Sequence, residues 1–369
     1  MDKIITTVLI VDDSLVYRHA IEDALKDEPD IKVIGSVRNG VKAMEFIAVS
    51  QPCLVTLDLE MPDLDGIETL KAIQQFNADH ALVPGINVIM LSAHTKKGAE
   101  STMQALEMGA FDFITKSETT NETESIAALK LALIHRIHHM SSLSLLGRQT
   151  HVKTQPPSLT VAEATPFEKN KSSAATKIKA IVIGVSTGGP KALLNMLPGL
   201  CSKVTLPIFI VQHMPEKFTQ SLAESLGKKC SHRVKEGTDG ELVTSKTVYI
   251  APGGRHMLLR KSGANTVISI NDQPPENSCK PSVDILFRSI PVIYNGDAVA
   301  IVLTGMGTDG TKSVRALKRE GVFIIAQDEE TSVVWGMPGS AVATGLVDTV
   351  VPLMKIPDVV ADYICRRDT

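Results

Sequence analysis

Two stretches of this chain alternate short, β-branched apolar runs with amphipathic segments, and residues 141–177 separate the two stretches. Alternation of this kind predicts parallel sheets that are covered by helices on both faces. A chain of 369 residues is also too long for one core of ordinary size. The predicted fold class is therefore α/β, with a doubly wound parallel sheet in the N-terminal half and a second parallel α/β domain after it.

The first predicted domain covers residues 1–140 and contains five candidate strands with amphipathic segments between them. The strands are Thr7–Val11, Lys32–Ser36, Leu54–Asp58, Asn87–Leu91 and Phe111–Thr115. Helices are predicted at Ala43–Val49, Gly66–Phe76 and, to close the unit, about Glu124–Met140. Residues 141–177 lose the apolar spacing and are rich in Ser, Thr, Pro, Gln and Lys, which predicts a flexible linker.

The second predicted domain covers residues 178–369 and repeats the alternation. Its strands are predicted at Ile178–Val185, Pro207–Val211, Val248–Ala251, Val299–Leu303 and Val322–Ile325. Its helices are predicted at Lys191–Leu197, Val283–Ile290, Thr311–Glu320 and Gly339–Thr344. Because functional groups of such sheets collect at the carboxyl ends of the strands, polar motifs at those ends are candidates for the site.

The composition argues against several classes of protein. With 43% hydrophobic and 21% charged residues the chain is typical of a globular protein, and a net charge of -3 argues against binding nucleic acid through its phosphates. No apolar signal segment follows Met1, and no apolar run is long enough for membrane insertion. The cysteines form no Cys-x-x-Cys pair, so buried free thiols in a reducing compartment and a cytoplasmic location are predicted. They are Cys53, Cys201, Cys230, Cys279 and Cys365.

Acidic residues end two apolar strands of the first domain. Asp12 and Asp13 follow Val8–Val11, and Asp58 follows Leu54–Leu57, so the three carboxylates should converge if the strands are neighbours. Taken singly, an Asp after a strand is more often a helix cap or a turn former. Crowded carboxylates repel one another unless a hard cation binds them, and Mg²⁺ fits best beside a phosphate.

Ser92 and Lys116 end two further strands of the same domain. A hydroxyl and an ammonium that face a metal-bound carboxylate are the groups needed to place a phosphoryl group on that carboxylate. With Met61-Pro62-Asp63-Leu64-Asp65-Gly66 after the third acid, residues 6–140 resemble a response-regulator receiver domain of flavodoxin-like fold.

The resemblance to receiver domains implies a role for each of these residues. Asp58 would accept the phosphoryl group, Asp12 and Asp13 would bind Mg²⁺ together with it and with the Glu60 backbone, and Ser92 and Lys116 would contact the phosphoryl group. Phe113 occupies the position of the aromatic switch residue. Ser117 departs from the family pattern, which usually has proline after the lysine.

A glycine-rich turn carries the candidate nucleophile of the second domain. Gly184-Val185-Ser186-Thr187-Gly188 satisfies Gly-x-Ser-x-Gly, which exposes a serine between a strand and a helix. A loop that binds phosphate or a nucleotide is the alternative, although Ser186 occupies the place of the second glycine of the dinucleotide fingerprint. No phosphate-binding lysine motif follows either, since the next residues are Gly189-Pro190-Lys191.

Three histidines of the second domain are candidates for a general base. His213 ends the strand Ile208–Val211 and should share an edge with the serine, whereas His256 is a weaker alternative and His232 lies in a polar stretch that should be solvated. A histidine base of ordinary pKa predicts that the reaction slows below about pH 6–7. Asp309, in a glycine-rich loop after Val299–Leu303, is the candidate orienting acid; capping the helix near Thr311 is its other possible role.

The motifs Gly-Val-Ser-Thr-Gly-Gly, Gln-His-Met and Thr-Gly-Met-Gly-x-Asp-Gly, behind a receiver-like domain, resemble the chemotaxis protein-glutamate methylesterases. The resemblance implies that Ser186 is the nucleophile, His213 the general base and Asp309 its orienter, with Thr187 and the Met306 backbone at the oxyanion site. It implies hydrolysis of glutamyl methyl esters on methyl-accepting chemoreceptors with release of methanol, and deamidation of receptor glutamines, without a cofactor for the hydrolysis. It also implies that a chemotaxis histidine kinase donates the phosphoryl group that relieves inhibition.

A second class of function is a receiver whose output domain docks a partner or binds DNA. A DNA-binding output domain should show a basic helix or a helix-turn-helix. The second half is instead a large α/β unit with glycine-rich strand ends, which favours an enzyme.

Overall fold

The computed structural model describes residues 5–116, 129–134, 136–138, 140 and 177–368. It contains two parallel sheets flanked by helices, one in each half of the chain, which confirms the predicted α/β fold class. Among the described helices, none has the length and apolar content that a membrane span requires. The predicted linker falls outside the described residues except for Lys177, as does the start of the helix predicted at about Glu124–Met140.

The N-terminal domain has a five-stranded parallel sheet in the order β2-β1-β3-β4-β5. Its elements are β1 (Thr6–Val11), α1 (Leu15–Leu25), β2 (Ile31–Val37), α2 (Gly40–Ser50), β3 (Leu54–Asp58), α3 (Gly66–Asp79), β4 (Asn87–Ala93), α4 (Lys96–Glu107) and β5 (Asp112–Lys116). The described residues between 129 and 140 are helical and form α5. All five predicted strands are confirmed.

Side chains along β1 explain why the sheet is covered on both faces. Val8 and Ile10 pack into one apolar cluster with helices α1 and α5, while Leu9 and Val11 pack into a second cluster on the opposite face. This is the two-residue period of a strand that is buried on both sides. Because β1 and β3 are hydrogen-bonded neighbours, with Val11 opposite Leu57, the acids after both strands reach the same edge of the sheet.

The C-terminal domain has a seven-stranded parallel sheet in the order β14-β13-β12-β6-β7-β9-β8 and an antiparallel hairpin of β10 and β11. Its strands are β6 (Ala180–Val185), β7 (Ile208–Gln212), β8 (Arg233–Glu236), β9 (Thr247–Ile250), β10 (His256–Ser262), β11 (Asn265–Asn271), β12 (Ala298–Val302), β13 (Phe323–Gln327) and β14 (Thr349–Val351). Its α-helices are α6 (Gly189–Lys203), α7 (Phe218–Gly227), α8 (Val283–Tyr294), α9 (Thr311–Arg319), α10 (Met337–Ala343) and α11 (Ile356–Asp368). The five predicted strands are present, and β8, β14 and the hairpin are additional.

The centre of this second sheet brings the predicted motifs to one edge. Strand β6 lies between β12 and β7, with Val302 opposite Gly184 and Val185 opposite Gln212. Ser186 lies in the loop after β6, His213 in the loop after β7 and Asp309 in the glycine-rich loop after β12. The order of the strands therefore explains how motifs far apart in sequence become neighbours.

The two domains pack against each other through α4 and β5 on one side and α6 and α7 on the other. The Phe113 ring stacks on the Phe218 ring with centroids 5.0 Å apart and planes 9° apart. Around this stack, one apolar cluster runs from Met103 and Leu106 of the first domain to Leu222 of the second. Burial of apolar side chains from both sides stabilises the docked arrangement.

Polar contacts surround this apolar stack. Lys229 lies 3.2 Å from Glu107, which also accepts a hydrogen bond from Ser225. Lys217 donates to the backbone carbonyl of His94 at 3.0 Å, and the His94 ring contacts the Glu216 carbonyl at 3.1 Å. The contacts fix where the first domain sits on the second.

Candidate functional site

Ser186 lies on the turn between β6 and α6 and is half-buried. Gly188, at φ +75°, is the N-terminal cap of α6, and glycine reaches this left-handed conformation without steric cost. The Ser186 N–H donates to the Thr304 carbonyl at 3.0 Å, and its carbonyl accepts from the side chain of Gln212 at 2.9 Å. Hydrogen bonds from both neighbouring strand ends thus hold the serine backbone.

His213 follows β7 and hydrogen-bonds Asp309 through ring Nε2, which lies 2.9 Å from Oδ2 of the carboxylate. The His213 side chain is 12% exposed and that of Asp309 is 2% exposed. A buried carboxylate that accepts from one ring nitrogen fixes the tautomer and leaves the other nitrogen for proton transfer. The predicted base and its predicted orienting acid are therefore brought together.

Asp309 does not cap the helix that follows it, because the N-terminal cap of α9 is Gly310. Its carboxylate instead meets the N-terminus of α8, where it accepts from the backbone N–H groups of Val283 at 2.6 Å and Asp284 at 3.1 Å. A helix N-terminus stabilises a negative charge. Burial by itself would raise the pKa of Asp309, but the hydrogen bonds from His213, Val283 and Asn277 outweigh burial and hold the pKa well below its ordinary value.

The second ring nitrogen of His213, Nδ1, faces the thiol of Cys279 at an S···N distance of 3.6 Å. Burial lowers the pKa of His213, but the hydrogen bonds with Asp309 and Cys279 outweigh burial and raise the pKa to about 9. The ring is therefore largely protonated near neutral pH in this arrangement. The ring nitrogens contact Asp309 and Cys279, while the Ser186 side chain hydrogen-bonds none of the described residues.

Ser186, Thr187 and His213 line one cavity of 630 Å³ at the domain interface. Among the described residues, the backbone N–H groups of Thr187 and Met306 have no hydrogen-bond acceptor, and Met306 is exposed. Gly305, beside Met306, approaches the serine so closely that a Cβ atom there would lie 2.8 Å from the Ser186 Cβ. Two predicted oxyanion donors thus belong to backbone segments that adjoin the serine.

The structure separates the other two histidines from the cavity. His256 is fully buried, with Nδ1 accepting from the Ser282 N–H at 3.1 Å and Nε2 3.2 Å from the Pro274 carbonyl. Both ring nitrogens are occupied, so His256 has no lone pair left for a substrate. The prediction that His232 is solvated is wrong, because His232 is only 4% exposed.

Several residues that support the site were missed from sequence. Asn277 and Ser282 donate to Oδ1 of Asp309, each at 2.9 Å, and Thr304 holds the Thr187 carbonyl at 3.0 Å. Asn277 and Ser282 come from a loop that lacks any apolar period, so no pattern marks them. Thr304 and Gln212 do end buried strands, and that position could have identified them.

Asp12, Asp13 and Asp58 converge at the carboxyl edge of the N-terminal sheet, with one carboxylate oxygen of each within 4.8 Å of the others. Lys116 extends into this group, and its ammonium lies 2.8 Å from Asp12 and 2.7 Å from Asp58. Burial raises the pKa of Asp58 to about 6, although Lys116 opposes the shift. Burial would lower the pKa of Lys116, but Asp58 and Asp12 outweigh burial and raise it.

The donor set at this edge fits a hard divalent cation. Asp12 is fully buried, and its Oδ2 accepts no hydrogen bond of good geometry among the described residues although the Lys116 ammonium is close. Such a carboxylate oxygen gains from a bound cation, and oxygen ligands suit Mg²⁺ or Ca²⁺. Ser92 ends the adjacent strand, where its hydroxyl donates to the Gly98 carbonyl at 3.1 Å.

Lys116 also lines the 630 Å³ cavity that contains Ser186 and His213. The same cavity wall includes His94 and Phe113 of the first domain. The acidic group and the serine turn are therefore two sides of one interface. Any change in the position of Lys116 alters the wall that faces the serine.

The cysteines agree only in part with the prediction that they are buried free thiols. All five cysteines are free, as expected, but Cys53 and Cys365 are exposed and Cys201 is the buried one. Cys230 and Cys279 are partly exposed. The prediction that the thiols are buried is thus wrong for two of them.

Comparisons with known proteins cover both halves of the chain. A family model of the CheB methylesterase matches residues 181–360, and one of the response regulator receiver domain matches residues 8–128. The chain is 45% identical to a protein-glutamate methylesterase/protein-glutamine glutaminase of Desulfotalea psychrophila over 95% of this chain and 96% of that protein. It is 39% identical to a protein of the same name from Trichodesmium erythraeum over 98% of each chain.

A solved structure, the Thermotoga maritima CheB methylesterase catalytic domain, is 40% identical to this chain. It is matched over 51% of this chain and 100% of that one, with a TM-score of 0.49. A receiver domain precedes the catalytic domain in the present chain, since the second family model matches residues 8–128.

Proposed function

Because the chain belongs to the protein-glutamate methylesterase/protein-glutamine glutaminase family, we propose that it hydrolyses glutamyl methyl esters and deamidates glutamines on chemoreceptors. Phosphorylation of its receiver domain controls the reaction. One observation carries the catalytic part of the proposal, namely the His213–Asp309 hydrogen bond of 2.9 Å beside a serine on a tight glycine turn. The proposed partners are chemoreceptor signalling helices and a chemotaxis histidine kinase. The proposed location is therefore the cytoplasm.

In the proposed mechanism the Ser186 oxygen attacks the carbonyl carbon of the ester while His213 accepts the serine proton. The backbone N–H groups of Thr187 and Met306 stabilise the negative oxygen of the tetrahedral intermediate. The intermediate collapses as His213 returns the proton to the leaving methoxide, and methanol departs. Water then attacks the acyl-enzyme, again with His213 as base, and releases glutamate; a glutamine amide loses ammonia by the same steps.

Catalysis requires the nitrogen that faces Cys279 to accept the proton of Ser186. The resting arrangement is therefore one of low activity, because His213 is engaged by the thiol and its pKa is about 9. Asp309 keeps its contact with the other nitrogen throughout, since the N-terminus of α8 holds its carboxylate. The reactive arrangement requires the imidazole to turn from Cys279 toward Ser186, which lines the same cavity.

In the receiver domain, Asp58 accepts the phosphoryl group from the kinase. Asp12, Asp13 and Asp58 would hold a divalent cation such as Mg²⁺, which would neutralise charge on the phosphoryl oxygens. Lys116 pairs with the new charge, and Ser92 exchanges its bond with Gly98 for one to a phosphoryl oxygen. The raised pKa of Asp58 is consistent with a carboxylate that has few donors of its own.

The receiver inhibits the esterase because it covers the cavity that contains Ser186 and His213. Lys116 already contacts Asp58 at 2.7 Å, so phosphorylation of Asp58 changes the charge and the space at the end of β5, and this change weakens the docking around Phe113. A bias of about 1–3 kcal/mol between the docked and open states is typical of such coupling. The composition of residues 141–177 predicts a linker, so the two domains can separate without unfolding.

The catalytic assignment is tested with methylated receptor fragments and an assay of methanol release. Ser186→Ala should lower the rate at least about 10³-fold, because binding and oxyanion contributions are all that remain. A fluorophosphonate should label the native chain and not this variant. Retained activity in Ser186→Ala, with activity lost in His256→Ala, would show that the assignment is wrong.

Regulation is tested by adding acetyl phosphate and Mg²⁺ to the full-length chain. The native protein should be stimulated, whereas Asp58→Asn should give the same rate with and without the phosphodonor. The fragment from Lys177 to Thr369 should be faster than the unphosphorylated full-length chain. Equal rates for fragment and full-length protein would show that the receiver does not gate the esterase.

A further inference from the structure

Cys279 is held against the imidazole of His213 by its own loop. Its backbone forms two hydrogen bonds with Glu276, N–H to carbonyl in each direction, at 2.9 and 3.1 Å. Glu276 in turn is paired with Arg288 of helix α8. The thiol is partly exposed, and its sulfur lies 3.6 Å from Nδ1 of His213. The pair is therefore positioned by the fold and can be reached by solutes.

We propose that Cys279 and His213 form a binding site for a soft divalent cation, Zn²⁺, which inhibits the esterase. Zinc binds thiolate sulfur at about 2.3 Å and imidazole nitrogen at about 2.0–2.1 Å with tetrahedral angles. Two such ligands lie about 3.6 Å apart, as these bond lengths and angles require. The Cys279–His213 separation of 3.6 Å already has this value, so the two side chains need little movement to share one ion.

Asp309 completes the arrangement without itself binding the metal. A histidine that ligates a metal ordinarily donates its other ring N–H to a carboxylate, which orients the ring and raises its basicity. Nε2 of His213 already donates to Asp309 at 2.9 Å, so Nδ1 is the nitrogen available to the ion. Both oxygens of Asp309 accept from α8 as well, which keeps the carboxylate in its outer position. Solvent takes the remaining metal positions.

The ligands distinguish this site from the carboxylate group of the receiver domain. Thiolate and imidazole select zinc, whereas Asp12, Asp13 and Asp58 present oxygen ligands that suit Mg²⁺. Binding releases the thiol proton of Cys279 and the Nδ1 proton of His213, and it occupies the nitrogen that would accept the Ser186 proton. The expected result is reversible inhibition that strengthens as pH rises, since protons compete with the metal for both ligands. The inhibition rests on the proposed function, whereas metal binding by itself does not.

Binding is tested on the full-length chain with Co²⁺ as a spectroscopic substitute for zinc, in the presence of excess Mg²⁺. The native protein should develop a sulfur-to-cobalt charge-transfer band that added Zn²⁺ removes. Cys279→Ser should lose the band, and His213→Gln should weaken it. Cys230→Ser is the matched control, because Cys230 is equally partly exposed in the same domain but lies beside Cys201, and this variant should keep the band.

Inhibition is tested by titrating ZnCl₂ into the ester hydrolysis assay without a phosphodonor, each variant being compared with its own metal-free rate. The half-inhibiting zinc concentration should rise at least about tenfold in Cys279→Ser, since even loss of an outer partner of a metal ligand costs about 10–100-fold in affinity. Cys279→Ala provides a second variant in case the serine perturbs the loop.

Two outcomes would overturn the proposal. A cobalt band that persists in Cys279→Ser and Cys279→Ala would place the metal at other thiols. Equal zinc inhibition of native protein and both variants would place it away from the Cys279–His213 pair. Neither outcome would affect the proposed esterase activity, which the same metal-free rates measure.

Discussion

Asp58 and Asp309 are both buried carboxylates at the carboxyl edge of a parallel sheet, yet their surroundings shift their acidity in opposite directions. Asp58 pairs with Lys116, and burial raises its pKa to about 6. Asp309 accepts six hydrogen bonds, and they hold its pKa well below the ordinary value. The number of donors around each carboxylate, more than its burial, explains the difference.

In the proposed function, the contrast separates a carboxylate that reacts from one that positions a histidine. Oxygens that already accept several hydrogen bonds are poor nucleophiles and poor metal ligands, because those bonds must first be broken. Asp58 keeps lone pairs for a phosphoryl group or a cation, as the proposed function requires. Asp309 is fixed and charged, as expected of a group that orients a histidine.

The largest expected effect concerns Asp309. Asp309→Asn should lower the rate of methanol release by about 10³–10⁴-fold, because the amide cannot stabilise the imidazolium and favours the wrong tautomer of His213. Asp358→Asn is a matched control, since Asp358, in helix α11, makes an exposed ion pair with Lys203 at the end of α6. If Asp309→Asn kept a tenth of the native rate, Asp309 would have no orienting role.

The second expected effect concerns the pH profile. Neutral His213 is the base of the proposed mechanism, so a pKa of about 9 predicts that kcat/KM of the resting chain rises about tenfold per pH unit until about pH 9. An ordinary histidine, as predicted from sequence, would reach its plateau near pH 7. Cys279→Ala should shift the rise to lower pH, because the thiol contributes to the raised pKa. A native profile that is flat above pH 7 would contradict this expectation.

The third expected effect is on the free energy of unfolding, which should rise in Asp58→Asn and fall in Asp309→Asn at pH 7. The folded state raises the pKa of Asp58 from 3.8 to about 6. Ionisation of Asp58 therefore destabilises the folded state increasingly as pH rises from 3.8 to about 6, and the full effect is present above about pH 6. Asp58→Asn should raise the free energy of unfolding by about 1–3 kcal/mol at pH 7, and the gain should shrink as pH falls through 6 toward 4.

Asp309→Asn should destabilise the chain at pH 7, since the pKa of Asp309 is lowered in the folded state and its charge is favourable there. Scanning calorimetry of native protein and both variants at pH 7 and at about pH 4.5 measures both effects. The same sign for the two variants at pH 7 would show that donor number does not govern their energetics.

The smallest expected effect concerns the contact between the domains. Glu107→Gln removes the ion pair with Lys229, which is worth about 0.5–1 kcal/mol at a partly exposed site. Because this ion pair stabilises the docked arrangement, its loss should raise the unstimulated rate about two- to fivefold. Glu45→Gln is the control, because its partner Lys42 lies in the same helix α2. A lower unstimulated rate in Glu107→Gln would mean that docking assists the esterase.

Much of the fold and the main site residues could be predicted from the sequence, because parallel strands place their following loops at one edge. Ser186, His213, Asp309 and Asp58 all follow apolar strands, and the structure brings the first three to one rim and Asp58 to the facing one. The apolar pattern thus predicts both the strands of each sheet and the positions of the polar residues that follow them.

The rest of the site was not predictable by that reasoning. Cys279 and Asn277 lie in a loop between the β10–β11 hairpin and α8, where no period fixes which way a side chain points. Their contacts with His213 and Asp309 depend on the three-dimensional path of that loop. The shift of the His213 pKa from its ordinary value follows from the same contacts and was missed for the same reason.

Lys116 contacts Asp58 with its ammonium and also borders the cavity of Ser186. Input and output therefore meet across a single side chain, and no signal has to cross the core of either domain. A designer who replaced this receiver with another would need to preserve the α4 surface, the contacts of Phe113 and His94, and the reach of one lysine.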